Sequence, residues 1–224
     1  MALWRHGRLL CLMLAVLACA AAGEVVDRVV ANVNGHVILQ SDWEEAIAME
    51  ALLNGRQPDS FTSEERKAAL DRLVDQELLR EQVRPSESAP TDQVTARLAE
   101  IRKLHAEAAT DEGWKDVLIR YGLTQAAIER RLADDLQLMR LVEARLRPSI
   151  QIDSKAVETY YQDQLLPELK KAGGKQVALA EVFGHIRELL AEQRLNQLLN
   201  GWLTSLRSES RIETHGSASG DQAH

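Results

Sequence analysis

Cysteine is nearly absent from this chain: there are two in 224 residues, Cys11 and Cys19. That excludes a disulfide-dense mini-protein and a four-cysteine zinc site. Positive charge is in deficit, with 27 Lys and Arg against 34 Asp and Glu. A net charge of −7 argues against a broad nucleic-acid surface, which needs clustered cations to displace counterions from phosphates. Aromatic side chains are few, at 4%. The apolar fraction of 45% is nevertheless ordinary for a globular chain and excludes wholesale disorder. No phosphate loop, dinucleotide fingerprint or HExxH pattern occurs. Gly216-Ser217-Ala218-Ser219-Gly220 places Ala218 where a nucleophile elbow needs its serine. The histidines His36, His105, His185, His215 and His224 lack ligand-like spacing, so no metal or other cofactor is expected.

Long hydrophobic runs are scarce as well, with one exception. Leu9 to Ala22 are 14 consecutive apolar residues, preceded by Arg5 and Arg8 and ending in small side chains. Such a run spans about 21 Å as a helix, short of the ~30 Å hydrocarbon core of a bilayer. It therefore reads as a secretory signal over residues 1–23 rather than a transmembrane segment. Ala20-Ala21-Ala22 supports cleavage shortly before Glu24. In the alternative, Val16-Leu17-Ala18-Cys19 is a lipobox and Cys19 the lipidated first residue. A mature chain from Glu24 has no cysteine and carries 25 basic against 34 acidic residues, a net charge of −9.

The mature chain reads as mainly helical with a few short strands. Val25 to Asn34 is rich in β-branched residues, and Asn34-Gly35 before His36 to Leu39 signals a β-hairpin with a type I′ turn. Ser41 with Glu44, and Thr62 with Glu65, have capping-box spacing. Helices are predicted over 42–54, 63–83, 92–108, 125–146 and 177–206. A shorter one carries Trp114 to Tyr121 and stops at Gly122, and another is capped by Asp153 or Ser154 and runs through Tyr160-Tyr161. Ile150 and Ile152 suggest one short strand, and Arg211-Ile212-Glu213 a closing one. Ser86 to Pro90 reads as a loop. The predicted organisation is a helical domain over 24–165, a linker at 166–176, a C-terminal helix and strand returning over 177–213, and a polar tail at 214–224.

Chemistry-bearing constellations are sparse. Asp134-Asp135 and Glu44-Glu45 are adjacent pairs, which point about 100° apart on a helix, so solvated charge is the expected role. Leu132, Leu136, Met139 and Val142 form an apolar stripe expected in the core. Phe183, Ile186, Leu189, Leu190, Leu198, Leu199, Trp202 and Leu206 span a wider arc. A helix with that arc must cover neighbours on two sides or leave apolar surface available. Trp43 and Trp114 are expected in the core.

The segment Val26 to Ile47 resembles the N-terminal domain of SurA-type periplasmic chaperones. Tyr121 to Gln164 is similar to the same family in order and spacing, with Gly122-Leu123-Thr124 opening the long helix and Ile150-Gln151-Ile152-Asp153 preceding the Tyr160-Tyr161 helix. The resemblance implies a SurA N-terminal-like helical chaperone domain with a small β element, binding unfolded exported or outer-membrane polypeptides in the periplasm without catalysis. The family commonly inserts a parvulin prolyl isomerase domain after the Tyr-Tyr helix. Here that interval holds only about Gln164 to Gln176, against the roughly hundred residues a domain needs. No position matches the isomerase site. Met49, Leu53, Met139 and Trp202 are the candidate client-contacting residues. A residual isomerase and a structural envelope-assembly protein are the rival readings. The Ala172-Gly173-Gly174 linker would permit a homodimer exchanging its final helix.

Overall fold

The computed structural model describes residues 27–83 and 91–215. The expected signal segment, both cysteines, the Ser86 to Pro90 loop and the tail beyond His215 lie outside the described residues. The described chain begins with strands β1 (Val29–Val33) and β2 (His36–Leu39). Asn34 and Gly35 join them at φ 52° and 97°, the left-handed pair a type I′ turn requires. Strand β3 (Ile212–Thr214) pairs antiparallel with the other side of β1, giving the order β2-β1-β3.

Asn34 also locks that return. Its Oδ1 accepts from the Arg211 amide at 2.8 Å, and its Nδ2 donates to Glu81 at 2.9 Å and Ser210 Oγ at 3.1 Å. Two ends of the chain and the end of a helix are thus tied at one turn residue.

The helices are α1 (Gln40–Asn54), α2 (Ser63–Arg80), α3 (Thr91–Lys103), α4 (Asp111–Tyr121), α5 (Gln125–Leu146), α6 (Ser154–Tyr160), α7 (Leu166–Lys171) and α8 (Leu179–Glu209). Thr62, Thr110, Thr124 and Asp153 cap α2, α4, α5 and α6 through side-chain oxygens that accept from the third helical amide. The cap of α1 differs from expectation. Asp42, not Glu44, accepts from the Leu39 amide at 2.9 Å, and the Ser41 hydroxyl is engaged by Asp27. A nearer carboxylate has displaced the Ser41–Glu44 pair.

Three further expectations change. Ile150 and Ile152 form no strand; they follow the 3₁₀ turn Arg147–Ser149 and pack into neighbouring apolar clusters. The predicted 92–108 helix stops at Lys103, and a separate 3₁₀ turn covers Ala106–Ala109. The stretch expected as a linker over 166–176 opens as α7, and the loop proper is 172–178. A π-helical turn, Tyr161–Leu165, joins α6 to α7. It sits just before Pro167, which cannot donate to the carbonyl of Asp163 four residues back.

The main core packs the sheet against α1 to α4 and the start of α5, with Val30, Ile47, Leu52, Leu78, Val117 and Ile128 essentially solvent-free. Trp43 and Trp114 are buried in it. His105, expected on a helix face, lies beyond the end of α3 and is buried; its Nε2–H donates to the Leu52 carbonyl at 2.9 Å and its ring meets Tyr121 edge-on at 5.9 Å. The carbonyl can only accept, so this geometry fixes the tautomer.

The Thr62–Glu65 capping box is reinforced from outside the helix. Arg56 donates to both Glu65 oxygens at 2.7 and 3.2 Å, and Glu65 also accepts from the Thr62 amide at 2.8 Å. The Arg56 guanidinium and that amide hold the Glu65 carboxyl down at about 2. A depressed folded value means the contribution is present above the ordinary carboxylate range and is lost as pH falls from about 4.5 towards about 2. Glu65→Gln is therefore expected to lower the urea midpoint at neutral pH, with the gap to the parent closing through that acid window. A gap of constant size would refute the assignment.

Candidate binding surface

The longest helix works on two opposite sides. Nine residues separate Ile186 from Leu195, about two and a half turns, so the two side chains leave α8 in opposite directions. Ile186 joins Val157 and Tyr161 in a cluster completed by Leu179, Val182, Phe183 and Leu190. Leu195 joins Leu79, Leu138 and Val142, with Leu199, Trp202, Leu203 and Leu206 beside them. The first half of α8 thus packs on α6 and the second half on α2 and α5. The wide apolar arc is divided between two faces rather than gathered on one.

Division leaves both faces thinly covered. In a helix of 31 residues only Ile186 and Leu195 are fully buried. Its other large apolar side chains are half-buried, and Leu189 is 41% exposed. A groove of about 580 Å³ runs between Ala156, Thr159 and Tyr160 on α6 and Leu190 and Gln193 on α8.

A related mismatch occurs on α5. Ile128, Leu132, Met139 and Val142 follow helical spacing along one stripe. Ile128, Leu132 and Val142 are buried and Leu136 is partly so, but Met139 is 59% exposed. The stripe outlasts its cover.

The four candidate residues separate accordingly. Met139 is open, and Leu53 is 38% exposed. Trp202 is half-buried, with the Arg145 guanidinium 4.6 Å from its ring centroid. Met49 is only 5% exposed and belongs to the main core, because α1 turns it inward beside Ala46. Met49 and Leu53 nevertheless share a cleft with Asp135, and Met139 follows Asp135 by one turn on α5. Trp202 lies apart from them on α8.

Asp135 itself departs from the expected solvated charge. It stands half-buried at the α1–α2–α5 seam, accepting from Gln76 Nε2 at 3.2 Å, and burial pushes its carboxyl above the ordinary value. Asp134 points to Arg80 at 3.5 Å, and Glu45 to Arg130 at 3.5 Å. Arg147, unremarked in the sequence, ties α5 to α8: Glu143, Glu188 and Glu192 all bond to it, the last at 2.6 Å. Those carboxylates raise its affinity for the proton still further. Only the Glu143–Arg147 spacing of four was visible locally. Among the described residues, no group of three or more His, Cys, Asp or Glu is arranged to hold a metal.

The architecture is that of a mainly helical domain, closed by a small antiparallel sheet, with apolar stripes left partly open on its two longest helices. A family model described as the SurA-like N-terminal domain matches residues 8–142. That is more than half of the chain, and the protein belongs to this family. No curated protein matches it significantly. The matched stretch ends near the end of α5, so α6, α7, α8 and β3 lie beyond it, although β3 completes the sheet. No helix among the described residues is long and apolar enough to cross a membrane.

Proposed function

We propose that this protein is a periplasmic holdase, exported by residues 1–23, that shields unfolded exported or outer-membrane polypeptides without a catalytic step. The observation that carries this reading is the row of partly open apolar side chains along α8 and the end of α5. At 31 residues, α8 is about 46 Å long and presents such side chains on both sides. Burying client side chains there stabilises a complex by roughly 25 cal/mol per Å² of apolar area, before association costs. Contacts of this kind are non-directional, which suits many client sequences. A mature net charge of −9 keeps a protein with open apolar surface soluble.

The test is suppression of aggregation of an unfolded outer-membrane protein. Wild type in several-fold molar excess is expected to suppress it. Met139→Lys with Leu189→Lys is expected to lose at least half of that suppression while keeping the parent circular dichroism, since both side chains are exposed. Absence of suppression by wild type would sink the reading. A proline-peptide isomerisation assay addresses the rival enzyme, and a point variant that abolished such catalysis would favour it.

A further inference from the structure

The seam where α1, α2 and α5 meet encloses a cleft of about 190 Å³. Its apolar wall is Ala46, Met49 and Leu53 from α1 with Ala69 from α2, and α5 sets Asp135 into it. The Gln76 amide spans two groups of α5, donating to Asp135 at 3.2 Å and accepting from Arg131 Nη2 at 3.1 Å. The other charges at the seam are largely committed elsewhere. On α1, Glu50 is ion-paired with Arg72 of α2. On α2, Arg80 is shared between Glu77 and Asp134 of α5.

Burial raises the Asp135 carboxyl's affinity for its proton; Arg131 and Arg80 oppose the shift and Asp134 adds to it. The closed seam therefore favours the neutral acid. As pH rises through the folded value, the carboxylate is left poorly hydrated between apolar walls, and hydrating it requires the seam to open. That stabilisation is present at low pH and lost on the alkaline side, opposite in sign to Glu65.

We propose that this cleft is a proton-operated latch: with Asp135 neutral the seam closes over Met49 and Leu53, and with Asp135 ionised it opens far enough to expose them. That these two side chains then join the client-contacting surface rests on the holdase reading; the latch does not.

Two methionines give a readout that needs no client. Peroxide converts an accessible thioether to the sulfoxide. Met139 is already open and serves as the internal reference for Met49. The full mature chain is treated with peroxide between about pH 4 and pH 8, and peptide mass spectrometry gives the ratio of Met49 to Met139 oxidation. That ratio is expected to rise at least about threefold from the acid to the alkaline end as the opening equilibrium shifts. Asp135→Asn is expected to keep the acid-like ratio throughout, with the parent circular dichroism. A flat ratio in wild type overturns the latch, whatever the fate of the variant, and so does a folded Asp135→Asn protein that still follows the wild-type curve. A rising ratio in a protein that suppresses no aggregation supports the latch and sinks the holdase reading alone.

Discussion

Gly113→Ala is expected to destabilise the protein by on the order of 3 kcal/mol, the cost of overpacking against an unyielding neighbour. The ordinary effect has the opposite sign: alanine in place of glycine within a helix gains up to about 1 kcal/mol. Gly113 is the third residue of α4, and its amide donates to the cap oxygen of Thr110 at 3.1 Å. A Cβ there would lie 1.8 Å from the Glu107 carbonyl oxygen and 2.9 Å from its carbon. Both atoms are backbone, in the 3₁₀ turn Ala106–Ala109. That turn is fastened at its start by His105 on the Leu52 carbonyl, and at its end by Arg102, which donates to the Ala108 carbonyl at 3.1 Å. Yielding would loosen both anchors. Gly184→Ala in α8 is the control: its Cβ meets nothing within 4 Å, and it should stabilise modestly. Urea denaturation of both variants measures the contrast, and a neutral Gly113→Ala would show that the turn gives way freely.

Local signals were legible in the sequence because their physics spans three or four residues. Asn34-Gly35 specified the hairpin, and Thr62, Thr124 and Asp153 cap as expected. Ser41 failed as a cap where two chemistries competed: Asp27, fourteen residues upstream, takes its hydroxyl, and Asp42 takes the helix end. Ile150 and Ile152 had the side chains of a strand but no neighbouring strand to pair with, and pairing is not a property of two residues. Site burial was less legible still. Met49 and Leu53 differ by one helical turn, yet α2 covers the first and leaves the second partly open. Asp134 and Asp135 look alike in sequence; only the assembly of α1, α2 and α5 makes one of them a cleft residue. The apolar content of α8 was plain, whereas its division between two faces depends on partners more than fifty residues away.

That division leads to the second large effect. One alanine inserted between Gln193 and Arg194 rotates one half of α8 relative to the other by about 100° and shifts it about 1.5 Å. The two faces can then no longer be satisfied together. The C-terminal half is the more firmly held: Arg207 bonds Asp75 at 2.6 Å and the Asp71 carbonyl at 3.0 Å, and β3 continues from it into the sheet. The N-terminal half is therefore expected to give way, turning Ile186 off Val157 and Tyr161 and withdrawing Glu188 and Glu192 from Arg147. At about 1.5–3 kcal/mol for each fully buried side chain, loss of the Ile186–Val157 packing amounts to on the order of 4 kcal/mol. Unfolding should become biphasic, with the α6–α7 arm melting before the main core and the near-ultraviolet signal of Tyr160 and Tyr161 reporting the first step. An alanine inserted after Gly173, in the loop between α7 and α8, is expected to cost only a few tenths of a kcal/mol, since loop length enters stability weakly. If the α8 insertion were tolerated as well as the loop insertion, the two faces would not be what fastens this helix, and the open stripes along it would need another explanation.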